Sequence, residues 1–317
     1  MNLLKKTLDY MERNKRLQDL TIKDNFMFCA VMSEEENCTR FLEMVLGFPI
    51  SRIDVSYERN MVYHPEYKGI RLDVYAKDQN NKRYNVEMQV KRDVALVKRS
   101  RYYHSQMDME LLAAGTSYEE LPDTFVIFLC DYDPFGRGLY CYTCGMQCKE
   151  DASVECDDGC QTIYLSTKGK NAEKLPESLV RFLKFVAADI EQSESDFEDE
   201  FVGQLQKSIH NVKESREMGE RYMIFEEMMR DERKAGREEG RAEGRKEGRK
   251  EGREEGALLA KRASIFELLE DVGRISEELE VRIHELSDEE QLKVLHKLAA
   301  KAESIEDFEE EAKKVLA

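Results

Sequence analysis

The strongest constraint on this chain is a pair of short strand-type runs. They are Ile70-Arg71-Leu72-Asp73-Val74-Tyr75-Ala76 and Tyr84-Asn85-Val86-Glu87-Met88-Gln89-Val90, separated by the polar residues 77–83. Side chains alternate between the faces of a strand. Leu72, Val74 and Ala76 therefore share one face, and Arg71, Asp73 and Tyr75 the other. In the second run Val86, Met88 and Val90 stand against Glu87, Gln89 and Lys91. A hairpin closed symmetrically about Asn80 sets Asp73 opposite Glu87, Arg71 opposite Gln89 and Leu72 opposite Met88. Apolar then meets apolar and polar meets polar, an agreement that a one-residue slip would scramble. Two carboxylates facing each other across neighbouring strands lie about 5 Å apart at Cβ and repel unless a cation intervenes. A hard divalent ion such as Mg²⁺ takes one or two carboxylates plus waters and phosphate oxygens. The pair is thus a candidate metal site for phosphodiester hydrolysis. The plainer alternative is two exposed acids on a polar face, offset by Arg71 and Lys91.

Around this hairpin the pattern alternates between helix and strand. Residues 1–20 suit an amphipathic helix outside the core, and 25–46 a helix ending at Gly47 with Pro49 beyond. Residues 53–57 read as a strand, 95–114 as a helix and 124–130 as a buried strand. Two further strands are expected over 139–143 and 162–165, then a helix over 179–190. Together these predict an α/β domain over residues 21–200, built around one mixed sheet flanked by helices. A long helix is expected over 201–235. From Gly236 a glycine recurs every fourth residue to Gly256, and the first five are each followed by Arg. Each Gly weakens a helix by roughly 0.8–1.0 kcal/mol against Ala, so residues 236–256 read as a partly helical linker, with self-association through the glycine faces as the sharper alternative. Residues 257–317 suit a small helical module.

Charge and targeting narrow the compartment and partners. The formal charge is −17, which by itself argues against a phosphate-rich partner. That charge is uneven. Residues 189–200 hold seven acids and no base, 257–317 hold sixteen acids and nine bases, and 91–104 hold five bases and one acid. The acid therefore lies mostly away from the hairpin and its following helix. No apolar run approaches the ~18 residues of a membrane helix, and residues 1–6 lack the features of a secretory signal. The expectation is a cytoplasmic protein with no membrane partner. Eight cysteines then read as free thiols. Cys141-x2-Cys144 with Cys156-x3-Cys160 is compatible with a tetrahedral zinc site, or with coincidental thiols in an irregular region.

Asp73 followed by Glu87-x-Gln89 resembles the core of the PD-(D/E)xK nucleases. The surrounding stretches resemble one branch, the recombination-promoting nuclease (Rpn) and nuclease-family transposase group. They are Lys23-Asp24-Asn25-Phe26-Met27-Phe28, Gly69 to Val74, Tyr84 to Gln89, Arg99-Ser100-Arg101-Tyr102-Tyr103, Gly115-Thr116-Ser117-Tyr118 and Asp133-Pro134-Phe135-Gly136, with the trailing glycine repeat. The resemblance implies a restriction-endonuclease-like fold and a DNA endonuclease dependent on Mg²⁺, with Mn²⁺ as the alternative, linked to recombination or transposition. Asp73 and Glu87 would be metal ligands with the Met88 carbonyl as a third, and Asp24 would complete the site. Gln89 stands where the superfamily's catalytic Lys usually stands. It can orient a water but brings no charge; Lys91, about 6.6 Å further along the strand, could compensate. Arg99, Arg101 and Tyr102 match the family's basic-aromatic helix and, with Lys91, would hold DNA phosphates. The competing reading is a catalytically degenerate nuclease fold acting as a homo-oligomeric interaction module through its C-terminal helices.

Overall fold

The structure, a computed structural model, describes residues 15–61, 70–112 and 115–316. The expected N-terminal helix lies largely outside these residues. What is described of it, from Lys15 to Leu20, holds a 3-10 turn at Leu17–Asp19. The first helices are α1, Asn25–Met32, and α2, Glu35–Leu46. One helix was expected here, and the chain breaks at Ser33 and Glu34. At the break the buried Asn37 amide binds the Val31 carbonyl at 3.0 Å and the Glu34 carboxylate at 2.9 Å. Helix α2 ends at Gly47 as expected, with φ +76° and its N–H on the Glu43 carbonyl. A side chain there would be strained in this left-handed conformation.

The strands are β1, Ile53–Met61; β2, Ile70–Asp78; β3, Arg83–Gln89; β4, Thr124–Cys130; β5, Cys141–Cys144; and β6, Cys160–Ser166. They form one mixed sheet in the order β1-β2-β3-β4-β6-β5. Strands β1, β2 and β3 are antiparallel, β4 lies parallel to β3 and β6, and β5 closes the edge antiparallel to β6. β4 is buried along its whole length, as befits a continuous apolar run between two parallel neighbours. Helix α3, Leu96–Leu111, lies between β3 and β4 in the chain. After β6 come α4, Glu177–Ala187, a single turn at Ile190–Ser193, and α5, Glu200–Glu214.

Two cores separate the faces of the sheet. One joins Phe28 and Met32 of α1, Phe41 and Leu42 of α2, Val74 and Ala76 of β2, Ile127 and Leu129 of β4, and Phe182 of α4. Phe201, Val202 and Leu205 of α5 complete it. The other joins Leu96, Tyr103 and Met107 of α3 to Tyr75, Val126 and Phe128. Ile127 and Leu129 fall on one side and Val126 and Phe128 on the other, as strand alternation requires.

The hairpin register is the expected one where the ladder forms. Val74 pairs with Val86, Tyr75 with Asn85 and Ala76 with Tyr84. The turn is closed by Asp78, whose Oδ1 accepts the N–H groups of Asn80 and Lys82, each at 2.9 Å, and Asn81 takes a positive φ of 67°. The ladder stops at Val74–Val86. The expected pairs Arg71–Gln89 and Leu72–Met88 do not form. Leu72 also leaves the face of Val74 and Ala76 and packs in the second core with Ile70 and Tyr75. Alternation therefore slips at Asp73, where β2 and β3 part.

The described chain divides into two compact units at Glu226. A break at Ser215 divides the helix expected over 201–235, and α6 then runs Arg216–Glu270. The glycine repeat is helical throughout. The second unit has its own core, with Ile265 and Leu269 against Leu279 and Ile283 of α7, Glu277–Glu285, and Leu292 and Leu295 of α8, Glu289–Ala299. Phe308 and Ala312 of α9, Ile305–Val315, complete it. Among the described residues no helix is long and apolar enough to cross a membrane.

Candidate active site

The gap between β2 and β3 is bridged by two carboxylates. Glu87 Oε1 accepts the Asp73 N–H at 3.2 Å, and Asp73 Oδ2 accepts the Met88 N–H at 3.1 Å. Each acid thus binds a backbone donor that the interrupted ladder leaves without a strand partner. Within a strand, one residue's N–H and C=O project from the same edge. The Met88 carbonyl therefore points toward the same gap as its N–H.

The two acids do not share a helix layer, contrary to the expectation that the polar sets meet on one face. Asp73 turns toward α1, where Asn25 Nδ2 donates to its Oδ1 at 2.7 Å. Glu87 turns toward α3, where Arg99 Nη2 and the Tyr103 hydroxyl donate to its Oε2 at 3.1 and 3.4 Å. Asn85 Nδ2 donates to its Oε1 at 3.2 Å. The strand slip at Asp73 produces this split. Asn25, Asn85 and Tyr103 had no individual role from sequence. Asn85 carried a signal, lying two residues before Glu87 on the same strand face. Tyr103 carried another, one helical turn after Arg99.

Burial dominates the electrostatics. Glu87 is only 2% exposed. Its carboxyl is pushed up to about 8, first by desolvation and then by the charge of Asp73, with Arg99 opposing. Desolvation likewise raises Asp73, offset by the Met88 N–H and Asn25. Each buried acid thus opposes ionisation of the other.

The other expected residues divide. Gln89 is at the site, its Oε1 accepting from Arg99 Nη1 at 3.2 Å. Arg99 is partly exposed and turned inward onto Glu87 and Gln89. Its Nη1 also reaches Asp93 Oδ2 at 3.1 Å, and its guanidinium lies over the rings of Tyr103 and Phe128. Lys91 and Arg101 are exposed and Tyr102 half-buried. Asp24, just before α1, does not reach Asp73 by a hydrogen bond. Its oxygens are taken by Lys15 Nζ and the Thr21 N–H, both at 2.8 Å. The contact from this segment comes from Asn25 instead.

Of the two readings of Cys141, Cys144, Cys156 and Cys160, the geometry favours coincidental thiols over a zinc site. Among the described residues no group of three or more His, Cys, Asp or Glu is placed to hold a metal ion. Cys141 and Cys144 both lie in β5, where residues three apart point to opposite faces. Cys141 pairs with Leu165, five positions from Cys160, or about 16 Å along the strand. The length of the strand thus keeps Cys141 away from Cys160.

Two carboxylates and a backbone carbonyl form a hard oxygen set, with neither thiolate nor imidazole. That set fits Mg²⁺ or Mn²⁺, which complete their shells with water and substrate oxygens. A mixed sheet with helices on both faces, split where two acids meet, is the core of a PD-(D/E)XK nuclease. The chain belongs to the PD-(D/E)XK nuclease family transposases, whose family model matches residues 22–239. No curated protein and no solved structure matches it.

Proposed function

We propose that this protein is a metal-dependent DNA endonuclease acting in recombination or transposition in the cytoplasm. The carrying observation is the Asp73–Glu87 pair at the β2–β3 gap, with the Met88 carbonyl beside it. These three groups would hold Mg²⁺, or Mn²⁺ in its place. A bound ion of this kind activates a water and offsets charge on the phosphoryl oxygens. Asn25 and Asn85 fix the orientation of the two acids. Exposed Lys91 and Arg101, with Tyr102, would position the DNA backbone.

Supercoiled plasmid incubated with Mg²⁺ tests the reading. Nicked or linear product from the wild type, absent with a chelator and absent in Asp73→Ala, is the expected result. Equal cleavage by Asp73→Ala would refute it. A second reading, a degenerate nuclease core serving as an oligomeric module, draws on Gln89 in the lysine position. Persistent oligomers without Mg²⁺-dependent nicking, lost on truncation after Ala235, would favour it.

A further inference from the structure

Glu87 is fully subscribed. Its carboxylate accepts four hydrogen bonds, from the Asp73 N–H, Asn85, Arg99 and Tyr103. In the ionised form that a metal requires, a carboxylate offers about four lone-pair positions, and these four donors leave none for a cation. Asp73 differs. It accepts two hydrogen bonds, one at each oxygen, and each oxygen keeps a lone pair.

The donors to Glu87 are not equally free to leave. The Asp73 N–H and Asn85 belong to the strands. Tyr103 is buried at 7% exposure, with Phe128 beside it. Arg99 is a long side chain, 29% exposed, with alternative acceptors in Gln89 and Asp93. Its Nε is buried without a hydrogen-bond partner, so the guanidinium still has a donor to offer. A phosphodiester is the partner a planar guanidinium matches best, because two parallel N–H groups can meet two phosphate oxygens.

We propose that Arg99 is a latch on Glu87 that a DNA phosphate releases. Without DNA the guanidinium occupies the cation's place beside Glu87 Oε2. A phosphate entering along α3 draws it away and opens Glu87 as a ligand. Metal loading is thereby coupled to substrate, and the metal-free site keeps its buried acid paired. Gln89 belongs to the same device. Its amide oxygen accepts from Arg99, whereas a lysine there would repel the guanidinium. The inference rests on the metal-dependent nuclease reading.

The test is Mn²⁺ affinity of the full chain without DNA, read from the paramagnetic resonance signal of free Mn²⁺. Arg99→Gln removes the latch. Arg99→Met removes it too, while keeping an apolar stem against Tyr103 and Phe128 if the first variant folds poorly. Both are expected to bind Mn²⁺ on the order of tenfold more tightly than wild type. Tyr103→Phe should stay within about twofold, since its donor is the longest of the four. Unchanged or weaker Mn²⁺ binding in a folded Arg99 variant overturns the latch. Failure of the nuclease reading looks different. Mn²⁺ would then bind to none of these proteins, or Asp73→Asn would leave binding intact in both the wild-type and Arg99→Gln backgrounds.

Discussion

Asp73 and Glu87 hold β2 and β3 together where the sheet itself lets go. Glu87 accepts the N–H of Asp73, and Asp73 accepts the N–H of Met88, the residue after Glu87. Both acids are raised by burial, so the ionised pair opposes folding. Asp73→Asn can keep the Met88 contact through its amide oxygen and, with the Asn25 amide turned over, donate to Asn25. The expected outcome is loss of cleavage together with a higher melting temperature in chelator, by several degrees for about 1–2 kcal/mol. The folded-state value of Asp73 lies above its unfolded one. Wild-type stability is therefore fullest below the unfolded value and falls as pH rises through the folded one. The advantage of Asp73→Asn should grow in that direction. Melting curves at pH 5 and pH 8 check this, and an advantage that shrinks with rising pH would contradict it.

Exposed and latched bases should behave differently. Lys91→Ala and Arg101→Ala remove exposed charges from the helix side of the site. Each should weaken DNA binding across all sequences and reduce the slope of log K against log salt by about 0.9. Neither should move the melting temperature appreciably. Arg99→Ala should lower it, because Glu87 would lose its ion pair while still buried. Filter binding across a salt series, with melting curves on the same proteins, separates the two groups.

His104 gives the fold an acid limit. Its ring nitrogens lie 2.7 Å from Thr124 Oγ1 and 3.0 Å from Thr162 Oγ1, under the sheet at 8% exposure. Burial lowers it to about 4 from the usual 6.5. The unfolded chain then binds the proton first as pH falls. The stabilisation is complete above about 6.5, declines below it and is gone below about 4, on the order of 3 kcal/mol in all. Urea unfolding at pH 7 and pH 5 should differ by more in wild type than in His104→Gln. An equal difference would remove His104 as the cause.

What could be read in advance follows from which interactions are local. The register from Val74–Val86 to Ala76–Tyr84 was legible because a one-residue slip would set apolar side chains against polar ones. β4 was legible from the continuous apolar run from Thr124 to Cys130, and the end of α2 from Gly47. The break at Ser33 was hidden, because it depends on the Asn37 side chain, which also reaches Ser208 in a distant helix. The slip at Asp73 was hidden too. Alternation assumes an unbroken ladder, and here the carboxylates themselves replace it. The roles expected of Arg99 and Asp24 came from the family resemblance, which carries no information on their contacts. A base beside an acid on another element folds inward, and an acid near a helix start can turn back to Thr21 and Lys15.

The glycine repeat offers a direct distinction between helix and interface. At Gly240, Gly244 and Gly248 an added Cβ meets nothing within 4 Å, so nothing described within the chain requires a bare backbone there. All three lie inside α6. Replacing them with alanine should therefore raise helix stability by roughly 0.8–1.0 kcal/mol per site. Ellipticity at 222 nm should increase and gel-filtration elution stay where it was. If a second copy instead approaches through these glycines, each new methyl group would hold the backbones apart. The triple variant would then elute as a smaller species at the same protein concentration. Elution of the wild-type and triple-alanine proteins side by side decides between an open helix face and one that a second chain covers.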